Sequence, residues 1–180
     1  MKIIIMLLFI CVITSNGFSQ TALSKGSYSI YGNISFSSTT TENRSGSVNE
    51  FTFNPSFGYF FVDNLFVGIS VMYHSVSSGN YSNSNSSLGP LLRYFFDAND
   101  NLKPFLGISY FYSVLSTDDN INANTLALSA GVDLFITKSF AIEGSVNYSY
   151  GVYNYPAGLY GDDPSVEVIS VGLGVNYFIH

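Results

Sequence analysis

The sequence predicts an all-β protein, an eight-stranded antiparallel up-and-down transmembrane β-barrel, and three observations predict it. Large apolar residues recur at every second position through almost all of the chain after residue 26, the mark of strands with one apolar face. Tight and long connections alternate, which gathers short turns at one end of a meander and long loops at the other. Only 10% of the residues are charged, against 47% hydrophobic and 17% aromatic; an ordinary soluble domain carries roughly 25% charge.

The chain opens with Lys2, an apolar run from Ile3 to Ile13, and then Thr14, Ser15, Asn16 and a Gly17-Phe18-Ser19 step. A basic start, a short apolar core and small residues after it read as a secretory signal peptide, residues 1–19, cleaved after Ser19. The run is shorter than the roughly 20 residues that a membrane-spanning helix needs. Residues 20–180 then form one barrel domain. Cys11, the sole cysteine, falls inside the leader and follows Ile10, where lipid attachment wants a small residue. Its removal leaves no disulfide, thiolate nucleophile or cysteine metal site.

Eight alternating segments follow, near 27–37, 49–61, 65–75, 87–97, 103–115, 124–136, 140–153 and 166–180. In the first, Tyr28, Ile30, Ile34 and Phe36 share one face and Ser29, Tyr31, Asn33 and Ser35 the other. In the second, Phe51, Phe53, Phe57, Tyr59 and Phe61 oppose Thr52, Asn54, Ser56 and Gly58. Asp63-Asn64 and Thr137-Lys138-Ser139 are tight links. The stretches "SSTTTENRSGS", "SVSSGNYSNSNSS", "STDDNINAN" and "NYPAGLYGDDPS" are long polar ones. "YFFVDNLFVGISVMY" aligns without gaps on "LFITKSFAIEGSVNY", and "RYFFDANDNLKPFLGISY" repeats the plan with a longer turn, so the hairpins form a meander. Pro55 sits inside a strand of a closed sheet and predicts a bulge or a displaced ladder bond.

Alternation does not say which face meets water. The strands exceed the roughly 5–6 residues of soluble sheets and suit a tilted crossing of hydrocarbon. Their polar face is Ser, Gly, Asn and Thr rather than solubilising Lys and Glu. Aromatics gather near strand ends, as Tyr59, Phe60, Phe61, Tyr94, Phe95, Phe96, Tyr148, Tyr150 and Tyr153, in the manner of interfacial girdles. The apolar face is therefore expected to meet lipid, with the sheet closed so that every backbone group is satisfied. A secreted soluble barrel with its polar face outward is the alternative.

"PSFGYFFVDNLFVG", "LGPLLRYFF" with "KPFLGISY", the leader's Phe18-Ser19-Gln20 end and the terminal "VGLGVNYFIH" together resemble the small outer-membrane barrels of the OmpA/OmpX type. The resemblance is specifically to the outer membrane protein beta-barrel domain family common in Bacteroidetes, and it covers nearly the whole mature chain. It implies an outer-membrane location with periplasmic termini, insertion by the barrel assembly machinery, and a last strand ending on an outward aromatic. Here Leu173, Val175 and Tyr177 keep that phase, but Ile179 takes the aromatic's place and His180 follows.

By phase Arg93, Lys103, Asp133 and Glu143 point inward near the short-turn end. Buried charges must be paired or wet, so an internal polar plug is expected, with a proton or ion path as the alternative. Glu50 and His74 point inward near the long-loop end and read as a partly hydrated structural pair, general-base chemistry being the other reading. Asp118-Asp119 and Asp162-Asp163 read as solvated loop acids, with divalent-cation binding as the alternative. Tyr155, Leu159, Tyr160, Asp162 and Asp163 lie in an exposed loop able to contact an extracellular surface partner or to pack over the barrel mouth.

Net charge is −6 with no basic patch, which disfavours a nucleic-acid partner. Lipid is the expected environment, and no cofactor or metal is expected. The predicted role is non-enzymatic: a structural or surface-interaction barrel with a filled interior and contact loops near 38–48, 76–86, 116–123 and 154–165. The runner-up is a conduit for small or apolar solutes, similar to OmpW. For that reading, inward Gly68, Ser70, Gly107, Ser109, Ser129, Gly131, Gly172 and Gly174 would leave room, whereas inward Phe60, Phe95, Phe105, Phe111 and Phe135 would fill it. A lipid A-modifying enzyme is the remote reading, since Ser75 and Ser77 are out of phase with His74.

Overall fold

The computed structural model describes residues 20–40, 47–79, 81–114, 122–154 and 165–179. Eight strands, β1 (Tyr28–Thr40), β2 (Ser47–Val62), β3 (Leu65–Ser78), β4 (Tyr81–Phe95), β5 (Leu102–Val114), β6 (Asn122–Thr137), β7 (Phe140–Asn154) and β8 (Ser165–Ile179), pair in sequence order and close on themselves. All neighbours are antiparallel, including β8 with β1. Following paired residues round the wall from Ile179 through Tyr28, Tyr59, Val67, Leu92, Ile108, Leu128 and Tyr148 returns to β8 at Ile169, ten residues from the start. That stagger tilts the strands by about 35–45° and leaves an interior just wide enough for side chains.

The apolar face is outside. Phe36, Phe57, Ile69, Leu88, Leu106, Ile169 and Leu173 are among the large side chains exposed on the outer wall, whereas Ser29, Asn33, Ser70, Arg93, Asp133, Glu143 and Asn176 are buried. A water-soluble barrel would reverse this arrangement. Tyr28, Tyr59, Phe61, Tyr94, Phe96 and Tyr177 form an outward aromatic band at the short-turn end, with Tyr94 and Phe96 edge to face at 5.0 Å.

The internal repeat is physical as well as textual. The β2–β3 ladder shifts register between Phe60 and Val62, and the β6–β7 ladder shifts at the equivalent residues, Phe135 and Thr137. Asn64 takes the turn with a φ of 66°, a conformation that asparagine tolerates better than most residues. Pro55 keeps register with Gly32 on one side, and the β2–β3 pairs at Asn54 and Pro55 are interrupted without a slip. The missing donor is thus absorbed by a skipped ladder bond, not a bulge. Pro90 does the same on the β4–β5 side, beside Gly89, whose α-carbon lies so close to the Tyr110 carbonyl that no β-carbon fits.

One expected loop is not a loop. Residues 76–78 extend β3 and 81–86 extend β4, with Ser75 opposite Ser84 and Ser77 opposite Ser82, and Gly79 follows β3 with φ +58°. The segment's Ser- and Asn-rich sequence is polar on both faces. It suits a hairpin that has left hydrocarbon, since water can then solvate both faces. The strands likewise consume the ends of the other long connections, at 38–40, 47–48, 122–123, 154 and 165.

Candidate functional site

The interior is layered. At the short-turn end, inward phenylalanines from the four even strands, Phe60, Phe95, Phe135 and Phe178, join Phe66 and Phe105 in one buried cluster. Ring centroids run 5.5 Å from Phe60 to Phe66, 5.8 Å from Phe60 to Phe95, 5.6 Å from Phe95 to Phe105 and 5.0 Å from Phe135 to Phe178. Each of the four sits in the middle of an apolar triplet, "YFF", "YFF", "LFI" and "YFI". Each donates its backbone N–H to the carbonyl of Ser27, Asn64, Asn101 or Ser139 across a neighbouring chain, at 2.8 to 2.9 Å. Below them a 3-10 turn, Gln20–Leu23, tucks Ala22 and Leu23 into the same cluster. Sequence reasoning missed both the fourfold repeat and this N-terminal cap, although the triplets carried the signal.

Four of the small inward residues set against this filling turn out to serve it. A β-carbon on Gly68 would strike the Phe66 ring and one on Gly131 the Phe105 ring; Gly172 and Gly174 similarly accommodate Asn33 and Tyr31.

A polar layer lies on the aromatic one. Arg93 Nη1 donates to Glu143 Oε2 at 2.6 Å across the interior, and both side chains are almost fully buried. Tyr31 Oη donates to Glu143 Oε1 at 2.9 Å. Asn176 Nδ2 donates to Asp133 Oδ2 at 2.8 Å and to Glu143 Oε2 at 3.3 Å. The guanidinium lies 4.0 Å over the Tyr31 ring and 4.4 Å over the Phe105 ring, so it is held by charge and by two π faces. The structure therefore brings together Arg93, Asp133 and Glu143 of the predicted cluster.

Lys103 stands apart from that cluster. It is opposite Asp133 in register, but its ammonium reaches Asp97 Oδ1 at 3.0 Å in the turn after β4. Asn64 also donates to Asp97, at 3.0 Å. These two donors, Lys103 first, hold the Asp97 carboxyl below the usual carboxylate range. Tyr31 and Asn176 are the members of the central network that the sequence did not single out, although both carry the inward phase.

Above the polar layer, toward the long-loop end, lies a cavity of about 380 Å³. Its walls mix Ser, Thr and Asn with apolar side chains, Met72, Leu91 and Phe111 among them, and Glu50 and His74 also line it. His74 Nδ1 and Thr52 Oγ1 are 3.0 Å apart across the β2–β3 pair. Of the small residues expected to leave room, Ser70, Ser109 and Ser129 line this space. The predicted loop contacts Tyr155, Leu159, Tyr160, Asp162 and Asp163, the pair Asp118-Asp119, and the leader 1–19 with Cys11 lie outside the described residues.

Comparison with solved structures finds a similar fold in three bacterial proteins. The chain is 15% identical to the N-terminal β-barrel domain of Pseudomonas aeruginosa OprF over 86% of its length and 98% of that domain, with a TM-score of 0.58. It is 18% identical to Neisserial surface protein A, NspA, covering 85% of this chain and 99% of that one at a TM-score of 0.60. For the outer membrane protein OprG of Pseudomonas aeruginosa the identity is 16%, the coverage 91% and 100%, and the TM-score 0.56. At these identities the likeness is one of fold. No match was found among curated protein sequences. The family model described as "Outer membrane protein beta-barrel domain" matches residues 5–177, and a closed wall of outward apolar and inward polar residues is what that match requires. The chain belongs to the outer membrane protein beta-barrel domain family.

Proposed function

We propose that the protein is a non-enzymatic, non-conducting barrel of the OmpA/OmpX kind, exported by a cleaved leader and serving a structural or surface-interaction role in the cell envelope. The observation that carries this reading is the doubly filled cross-section. The phenylalanine cluster and the Arg93–Glu143 bridge lie one above the other and span the interior. The long-connection end would face outward, presenting residues 41–46, 115–121 and 155–164, with Tyr155, Leu159, Tyr160, Asp162 and Asp163 as the contact chemistry toward a surface partner. Lipid surrounds the wall, and the barrel insertion machinery is the partner during assembly.

The second reading, a solute conduit, is favoured by the cavity of about 380 Å³ in the long-loop half. Flux through the purified protein in liposomes separates the two. Small ions and an apolar dye are expected to pass no faster than through empty liposomes. Passage of either above that control overturns the sealed-barrel reading.

A further inference from the structure

Among the described residues, the β1–β8 ladder stops while both of its strands continue. Among the described residues it runs from Tyr28 opposite Ile179 to Ser35 opposite Gly172 and ends there. Both strands continue toward the long-loop end, β1 through Thr40 on β2 and β8 from Ser165 on β7. Each therefore presents a free backbone edge to the other across a seam, with unpaired donors and acceptors turned toward it.

The seam communicates with the interior. Phe36, Ile169 and Val171 have the outward phase and are exposed by 69%, 75% and 69%, yet they line the same cavity as Asn33 and Ser170. No other strand contact shows outward residues sharing the cavity wall among the described residues. On the outer wall of β8, Val171 and Ile169 are followed by Glu167, so the apolar face gives way to charge along the seam, as at the boundary between acyl chains and headgroups.

We infer that this seam and cavity form a binding site for a single-chain amphiphile with a neutral, hydroxylated head, drawn sideways from the surrounding leaflet. An apolar doorway of Phe36, Ile169 and Val171 leads to a chamber whose hydroxyl and amide groups are interspersed with apolar side chains. The chain lies in the doorway and the head in the chamber. Free strand edges offer both donors and acceptors to hydroxyl groups. Asn85 Oδ1, buried in the chamber wall without a hydrogen-bond partner, is a further acceptor. In hydrocarbon an unmet backbone edge is expensive, so an occupant that meets it is stabilised.

Chemistry and size narrow the occupant. Arg93, the arginine in the wall, is already bridged to Glu143, so it offers a phosphate or carboxylate head little to pair with. A volume of about 380 Å³ over a filled floor admits a glycerol- or hexose-sized head but not the threading of a two-chain lipid through one seam. A second copy pairing its strand edges here is the competing occupant.

The test uses the purified protein in phosphatidylcholine nanodiscs with a monoacylglycerol carrying a photoreactive group beside its head, and a photoreactive two-chain phosphatidylcholine for comparison. Peptide mapping is expected to find the monoacylglycerol on the inward residues Met72 and Phe111, and the two-chain lipid on outward residues alone. Ala127→Phe, which fills the chamber, and Val171→Trp, which bulks the doorway from the lipid side, should each lower the inward labelling about tenfold. Leu88→Trp, on the outer wall of β4, should leave it unchanged. Should Ala127→Phe not fold, Val171→Trp carries the test.

Labelling confined to the outer wall, inward labelling untouched by Val171→Trp, or chain-to-chain crosslinks at the seam would each overturn the inference. Ion flux on the same preparations is a separate readout. Inward labelling with ion leakage keeps this site and sinks the sealed barrel, whereas no labelling and no leakage does the reverse.

Discussion

Arg93 is the residue on which the interior polarity balances. It faces Glu143 directly and Asp133 through Asn176, so a single fixed cation serves two buried carboxyl groups in that layer. Truncation would leave both without it. Arg93→Ala is expected to destabilise the barrel by roughly 3–5 kcal/mol, read as a lower urea midpoint for unfolding in lipid. Glu143→Gln, which keeps the shape and one acceptor oxygen for Arg93 and Asn176 and turns the other into a donor that the Tyr31 hydroxyl can accept, should cost less. Asp97 works differently because its side chain is 54% exposed and its partner Lys103 is buried. Its carboxyl is held below the ordinary range by Lys103 and then Asn64. Stability from a depressed carboxyl is complete above the unfolded value of about 3.9 and is lost as pH falls through the folded one. Solvent screening limits the effect to under ~1 kcal/mol. Urea midpoints compared at neutral and acid pH should therefore fall less in Asp97→Asn than in the unaltered protein.

At the scale of elements, the even strands each end on the same device: an inward phenylalanine, flanked by outward apolar residues, whose amide is tied to a neighbouring turn or chain segment. Phe60 is the most connected ring, in contact with Phe66, Phe95 and Phe178, and is fully buried. Phe60→Ala is expected to cost roughly 3–5 kcal/mol through lost burial and the void left behind, measured by the same urea titration. The glycines beside these rings are part of the element. Phase alone sets Gly68 and Gly131 on the inner face as room for a hollow barrel. The period-two pattern shows which face a glycine is on, but the ring that fills its space comes from Phe66, two residues away on the same strand, in one case and from another strand, at Phe105, in the other. The 76–86 segment shows the complementary limit: Ser and Asn on both faces broke the pattern, although the strand continued.

For the whole molecule, two stacked seals have a consequence that neither has alone. Removing one layer should leave the other in place, so Arg93→Ala and Phe60→Ala, assayed singly in liposomes, are each expected to leak no more small ions than the unaltered protein. The all-β class, the eight crossings, their order and the face turned to lipid follow from the sequence, because strand period and charge content are local properties. The inward direction of Arg93, Asp133 and Glu143 was legible for the same reason. It takes the folded barrel to show that Lys103 leaves that group for Asp97, that the N-terminal turn closes the base, and that β1 and β8 part above Ser35 and Gly172. These depend on closure of the sheet. Its ten-residue stagger sets which distant side chains share a level, and that stagger is a sum over every pairing in the wall rather than a property of any one segment.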